Sequence, residues 1–419
     1  MVKSTRLRRI QVAATALATV GALSLAGCSA SPSASDSTPD AAQTTAAEGC
    51  GSVPEIGVAD PGDLLSGFSD DIQAGYNAYP YEVQESAWSD WKSDKTEGFT
   101  AAIVGQAPAA PFIATYQSAL ADSLEAYGVD VVLNVAPNDP SDVPGQLQQF
   151  GQALSLNPDI IFFNAAAPEA ALDLVAQAHD AGIPVISMVS QIDSPYSITV
   201  TYNANLQAMV GAAHTLQSID GKGSILEVTG IPGISNEIAW EDGTEKALAL
   251  CPDVTVAGQV QGLFQPPVAQ QAVVQYLATN PAGVDAVLQA GTMGWAIRDA
   301  FEQSGLPVPP IADIGGSQGF AAWAAADPAY PYVGTATPAV EMAQSAAQIG
   351  VKVLAGAGPK LNHVVWQPYL ILADDLSSIV DPAWVPEDGT DLAPEGVYFT
   401  DAQIAEFFNS PELGPQAAE

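Results

Sequence analysis

The chain has 419 residues, 48% hydrophobic and only 14% charged, which supplies a large core and excludes wholesale disorder. Its charge is lopsided: 47 Asp and Glu against 11 Lys and Arg leave a formal net charge of −36. Polyphosphate backbones are bound by clustered Lys and Arg that release counterions, so a nucleic-acid partner is excluded and adhesion to anionic lipid is disfavoured.

The first ten residues hold Lys3, Arg6, Arg8 and Arg9, and no acid precedes Asp36. The apolar run at 10–25 is too short and small-sided for a stable membrane span and reads as an export signal. It ends in Leu25-Ala26-Gly27-Cys28, which resembles the bacterial lipoprotein cleavage box. That resemblance implies that Cys28 becomes a lipid-bearing N-terminus, and hence an extracytoplasmic protein anchored to the cell membrane through lipid alone. Residues 1–28 are then the signal peptide, and 29–48, rich in Ser, Ala, Thr and Pro, a flexible linker. Cys50 and Cys251 remain; export allows their oxidation, and a disulfide or two free thiols both fit. Neither has a cluster of His, Cys and Asp at metal-ligand spacing, so no metal is expected. Gly221-Lys222-Gly223 lacks the spacing of a phosphate loop, and no cofactor is expected. Residues 49–97 carry aromatics, prolines and acids without a period and read as an extension packed on the body.

From residue 98, short Val/Ile/Phe-rich runs alternate with Ala-rich amphipathic stretches, the pattern of strand-helix units on a parallel sheet. The first series places strands near 99–105, 129–135, 159–164, 183–189 and 198–201, with helices near 112–127, 143–156 and 169–181. Gly128 and Gly182 stand where the helices should stop. The second series places strands near 224–229, 254–260, 286–289, 311–315 and 332–336. Its helices fall near 204–219, 237–250, 268–279, 293–304 and 319–325, with a further one near 340–355. The fold class is therefore α/β, two doubly wound parallel-sheet lobes, each with a crevice at the carboxyl ends of its strands. The segment after 372 is irregular until a short helix signal at 400–408.

The order of elements resembles the type I periplasmic binding proteins, the ribose- and sugar-binding-like solute receptors of ABC importers. The motifs that carry the resemblance are Gly105-Gln106 with Pro111-Phe112, Asn157-Pro158-Asp159, Ala181-Gly182-Ile183-Pro184, Thr229-Gly230-Ile231-Pro232-Gly233 and Val284-Asp285-Ala286-Val287. It implies two lobes joined by a three-strand hinge, closing over one small ligand and docking on a permease with its ATPase. On that pattern lobe 1 is 98–202 plus 335–358, lobe 2 is 203–334, and 359–419 holds the last hinge crossing, near 358–362, and the tail. A monomer is expected.

The resemblance also nominates ligand positions, each a departure from or a match to the family pattern. Gln106 and Phe112 stand where a polar residue and a stacking aromatic follow the first strand. Ser190 and Gln191 replace the Asp beyond the fourth strand. Trp240 replaces an arginine three residues before Gly243, Gln289 stands in an Asn-Asp position, and Gln318 follows an Asp-Gly position. Asn164 and Asn236, whose amides donate and accept, and Phe264, a second stacking face, complete the set on their chemistry rather than on the family pattern. The pocket thus becomes amide, hydroxyl and aromatic, suited to a small neutral ligand such as a sugar or polyol, whose hydroxyls both donate and accept. Core packing accounts for Phe112 and Trp240, and a turn cap for Asn164, equally well. Arg298 reads as a surface partner of Asp299 or Glu302, and Lys222 and Lys246 as exposed.

Catalysis is disfavoured. The only histidines are His179, His214 and His363, no nucleophile elbow accompanies them, and Glu237 with Glu241 is a pair that so acidic a chain produces by chance. The reading is a non-enzymatic receptor of an importer. Its alternatives are a ligand sensor coupled to a membrane signalling protein, or a nucleoside receptor using the same aromatics.

Overall fold

The computed structural model describes residues 49–415 except 54, 390, 393 and 395–397, so the signal, Cys28 and the linker to residue 48 lie outside the described residues. The extension at 49–97 has a 3-10 turn at Leu64–Gly67 and one short helix, α1 (Asp70–Gly75).

The first series forms β1 (Thr100–Val104), β2 (Asp130–Val135), β3 (Ile160–Phe163), β4 (Val185–Met188) and β5 (Ser197–Tyr202), with α2 (Pro111–Ala126), α3 (Val143–Leu156) and α4 (Leu172–Asp180) between them. The second contributes α5 (Ala204–Ser218), β6 (Lys222–Thr229), α6 (Ser235–Ala249), β7 (Asp253–Gln261), α7 (Pro266–Thr279), β8 (Ala286–Gln289), α8 (Gly294–Gln303), β9 (Ile311–Ile314), α9 (Gln318–Ala325) and β10 (Val333–Ala336). There follow α10 (Ala339–Leu354), β11 (His363–Trp366), β12 (Tyr369–Leu372), α11 (Leu376–Ile379) and α12 (Asp401–Glu406).

Two six-stranded sheets result, ordered β11-β5-β4-β3-β1-β2 and β12-β10-β9-β8-β6-β7. All pairings are parallel except β10 with β12. Helices cover both faces, so the central strands β3, β4 and β8 are buried at every residue and read as unbroken apolar runs, whereas edge strand β2 alternates. Gly128 and Gly182 have φ of 77° and 73°, and beside them Val129 and Ile183 donate back to Leu124 and Ala178, closing α2 and α4 as the sequence indicated. Gly243 serves close packing: a Cβ there would collide with the Asn205 carbonyl, so only glycine lets α6 lie this near α5.

The chain passes from the first sheet to the second at Asn203, returns at 337–338 and crosses again at 367–368. The last passage lies beyond the 358–362 expected, because His363–Trp366 pairs with β5 before the chain leaves. Thr335 and Ala336 likewise still belong to the second sheet through β10.

The two outer segments tie the lobes together. Cys50 is disulfide-bonded to Cys251 at the end of α6 in lobe 2. Phe68, Ile72 and Tyr76 of the same extension are buried in the lobe 1 core. Tyr76 bridges Trp366 and Glu85 bridges Leu361, so the extension covers the open edge of β11. After β12, Leu376 and Leu392 pack into lobe 2, whereas Tyr398, Phe399, Ile404, Phe407 and Phe408 pack into lobe 1. Arg298, read as a surface residue, is buried; it pairs with Asp299 and lies 5.8 Å from the Trp323 ring. Among the described residues no helix is long and apolar enough to cross a membrane.

Candidate functional site

The carboxyl ends of both sheets face a cleft between the lobes. Its inner hollow holds about 640 Å3 with its mouth and is walled by Gln106, Ala110, Phe112 and Ile113 from lobe 1 and by Gln207, Ile234, Phe264, Thr292 and Ile314 from lobe 2. An outer hollow of about 850 Å3 is lined by Tyr81, Glu169, Ser190, Gln191, Asn205 and Ser235. Tyr202 and Asn236 stand in the walls of both.

The lobes touch directly. The Ser235 amide donates to the Ala166 carbonyl at 3.1 Å, and Ser190 Oγ and Ser235 Oγ are 2.7 Å apart, which is a closed arrangement. From the extension, Tyr79 Oη donates to Asp242 Oδ2 on α6 at 3.3 Å, and the Tyr79 carbonyl accepts from Asn203 and Gln191. Asp242 also accepts from Lys246 and Asn205; burial opposes its charge, and these donors hold its pKa below the ordinary value. Lys246 is accordingly only half-exposed.

Backbone strain gathers at this cleft. Val189, Leu263, Phe264 and Thr292 have φ between 55° and 63° without being glycine, a conformation costly for β-branched Val and Thr. All four line one hollow or the other. Behind Phe264, a buried Glu237 accepts the Gly230 amide at 2.7 Å, and burial pushes its carboxyl up to about 7.

Of the ten positions nominated from sequence, Gln106, Phe112, Asn236 and Phe264 meet in the inner hollow, and Ser190, Gln191 and again Asn236 line the outer one. The other four do not line either. Asn164 is buried with its carbonyl oxygen Oδ1 accepting from Gln106. Trp240 is 4% exposed within the lobe 2 core, since an apolar ring on the inner face of α6 is best placed there. Gln289 is fully buried and spends its amide on the Ile314 carbonyl and the Gly291 and Met293 amides, holding the turn after β8. Gln318 faces a separate surface hollow and donates to the Asp391 carbonyl. Sequence reasoning missed Tyr202, Gln207 and Thr292; Tyr202 and Thr292 lie at or just beyond a strand end, the signal that could have found them, whereas Gln207 lies one turn into α5. Among the described residues no three His, Cys, Asp or Glu side chains cluster to hold a metal.

The polar side chains left without partners point to a ligand. Gln207 Nε2 and Thr292 Oγ1 in the inner hollow, and Gln191 Oε1 in the outer, are buried and have no hydrogen-bond partner among the described residues. The inner wall bears no Asp, Glu, Lys, Arg or His.

Comparison with known proteins agrees with this architecture. A xylitol-binding protein of Mycolicibacterium smegmatis is 24% identical over 197 residues, 46% of this chain, and the chain spans only 55% of that relative's length. A solute-binding protein of an ABC transporter from Bacillus halodurans, solved with myo-inositol, superposes with a TM-score of 0.59 at 17% identity, covering 68% of this chain and 98% of that one. One from Thermobispora bispora gives 0.59 at 22% identity over 70% and 93%. The fold is thus that of these two-lobed proteins. Since the sequence model of the periplasmic binding protein domain matches residues 101–358, from the first strand to the turn after α10, the chain belongs to that family.

Proposed function

We propose that the protein is the extracytoplasmic receptor of an ABC importer, anchored by lipid on Cys28, that traps one small neutral molecule and delivers it to a permease driven by an ATPase. The observation that carries this reading is the closed interlobe cleft, walled without charge in its inner part and holding buried, unpartnered amide and hydroxyl groups. A polar group left unpaired in a dry site costs about 1–3 kcal/mol, so it is retained where a guest satisfies it. Sugars and polyols are the first class to test, because one sequence relative is a xylitol-binding protein and one solved structure of the same fold holds myo-inositol. The lobes supply opposite walls, so only the closed form touches the guest on both sides, and the guest stabilises closure by that difference.

The test is thermal unfolding of the full-length chain in detergent against monosaccharides, polyols and nucleosides, with charged amino acids as controls. A neutral solute is expected to raise Tm by mass action. A response confined to charged amino acids refutes the reading. Membrane retention of a Cys28→Ser variant refutes the lipid anchor.

A further inference from the structure

The inner hollow is poorly built for a polyol. A pyranose presents five or so oxygens that donate and accept, and each left dry and unpaired costs about 1–3 kcal/mol. The wall meets them mainly with alanines, Phe112, Ile113, Ile234, Phe264 and Ile314. One of its amides is already committed: Gln106 Nε2 donates to Asn164 Oδ1 and the Ala165 carbonyl. What remains includes Gln207 Nε2 and Thr292 Oγ1, both buried and unpartnered.

The outer hollow differs. Ser190, Gln191, Asn205 and Ser235 line it together; the two serine hydroxyls bond each other, Asn205 donates to Asp242 and Gln191 Nε2 to the Tyr79 carbonyl, which leaves Gln191 Oε1 buried without a partner, and Glu169 stands at its wall. Tyr202 and Asn236 stand in the walls of both spaces, so the two lie side by side in the cleft.

We propose that the guest is a two-part molecule, a hydroxylated unit carrying an aromatic ring, as in an aryl glycoside or a nucleoside. The ring occupies the inner hollow between the Phe112 and Phe264 walls, and an acceptor on it, as in a nitrophenyl group or a nucleobase, meets the Gln207 amide. The hydroxylated unit lies in the outer hollow, where the Gln191 carbonyl oxygen accepts from one of its hydroxyls. This deepens the receptor reading above and rests on its assignment of the cleft as the solute site.

The test is calorimetric titration of the full-length chain with matched pairs: glucose, galactose, xylose and arabinose, each against its phenyl and 4-nitrophenyl glycoside, and ribose against uridine and adenosine. The expected result is that at least one ring-bearing member binds about 10-fold or more tightly than its parent sugar, as burial of an aromatic ring requires. In Phe264→Ala, checked for folding by circular dichroism, that ratio falls at least 3-fold because the ring loses a wall. Parent sugars that bind as tightly as every ring-bearing partner overturn the two-part guest and leave the receptor reading intact. Binding by no neutral probe at millimolar concentration overturns both.

Discussion

Substituting Cys50 by Ser cuts the covalent link between the extension and lobe 2 while leaving the Cys251 sulfur in the core. The two cysteines are 201 residues apart, and the loop they close contains all of the lobe 1 strands except β11. Chain-entropy bookkeeping for a loop of that length gives about 5 kcal/mol at 25 °C, nearly all of it from restricting the unfolded chain. Measured losses for native disulfides fall at about 2–5 kcal/mol, so the expected cost of Cys50→Ser is about 3–5 kcal/mol. Guanidinium unfolding of the oxidised protein and the variant, followed by both circular dichroism and tryptophan fluorescence, measures it. Reduced wild-type protein should coincide with the variant, because both lack the same constraint. A loss under about 1 kcal/mol, or a reduced protein as stable as the oxidised one, would refute the reasoning.

Thr292→Gly removes a β-branched residue from φ 57° together with an unpartnered hydroxyl, so it should stabilise the fold by about 1 kcal/mol yet weaken solute binding about 5-fold; a variant that is less stable, or binds as well, contradicts the strained-site account. Tyr79→Phe deletes the bond to Asp242 across the lobes and should weaken solute binding about 3- to 5-fold with little change in Tm, as read by calorimetry. Glu237 holds its proton more tightly folded, at about 7, than unfolded, so its contribution to stability is fully present below about pH 4.5 and is lost as pH rises to about 7. Glu237→Gln keeps an acceptor for the Gly230 amide; it should match the wild type at pH 5 and exceed it by about 1–3 kcal/mol at pH 8, and an equal difference at both pH values would count against the assignment.

Most of the body was legible because parallel sheets covered on both faces demand unbroken apolar strands, and Ile160–Phe163 or Val185–Met188 can be little else between Ala-rich helices. His363–Trp366 and Tyr369–Leu372 were not: each is four residues long, only the four-residue α11 follows them, and Gln367-Pro368 between them looks like loop. The extension and tail were opaque for a related reason. Their aromatics pack singly into a core made by other elements, so Phe68 and Phe407, whose ring centroids lie 5.2 Å apart, carry no local period. The site was half legible. Strand order predicts which strand ends meet in the cleft, but not which amide turns inward, and Gln289 is taken by its own backbone turn while Gln207, one turn into α5, faces the hollow.

That division explains how the molecule can be held together at its edges and still depend on a guest at its centre. The disulfide, the extension on β11 and the tail packed on both lobes fix the periphery. The direct bonds noted across the cleft are few: Ser235 to Ala166, Ser190 to Ser235 and Tyr79 to Asp242. Each exchanges a bond to water for one to protein and nets about 1 kcal/mol, and closure dries Gln207 and Thr292 at about 1–3 kcal/mol each. These contributions nearly cancel, so the empty protein has little preference between open and closed. A guest that satisfies both groups removes that cost and adds the burial of its ring, which tips the balance to the closed form.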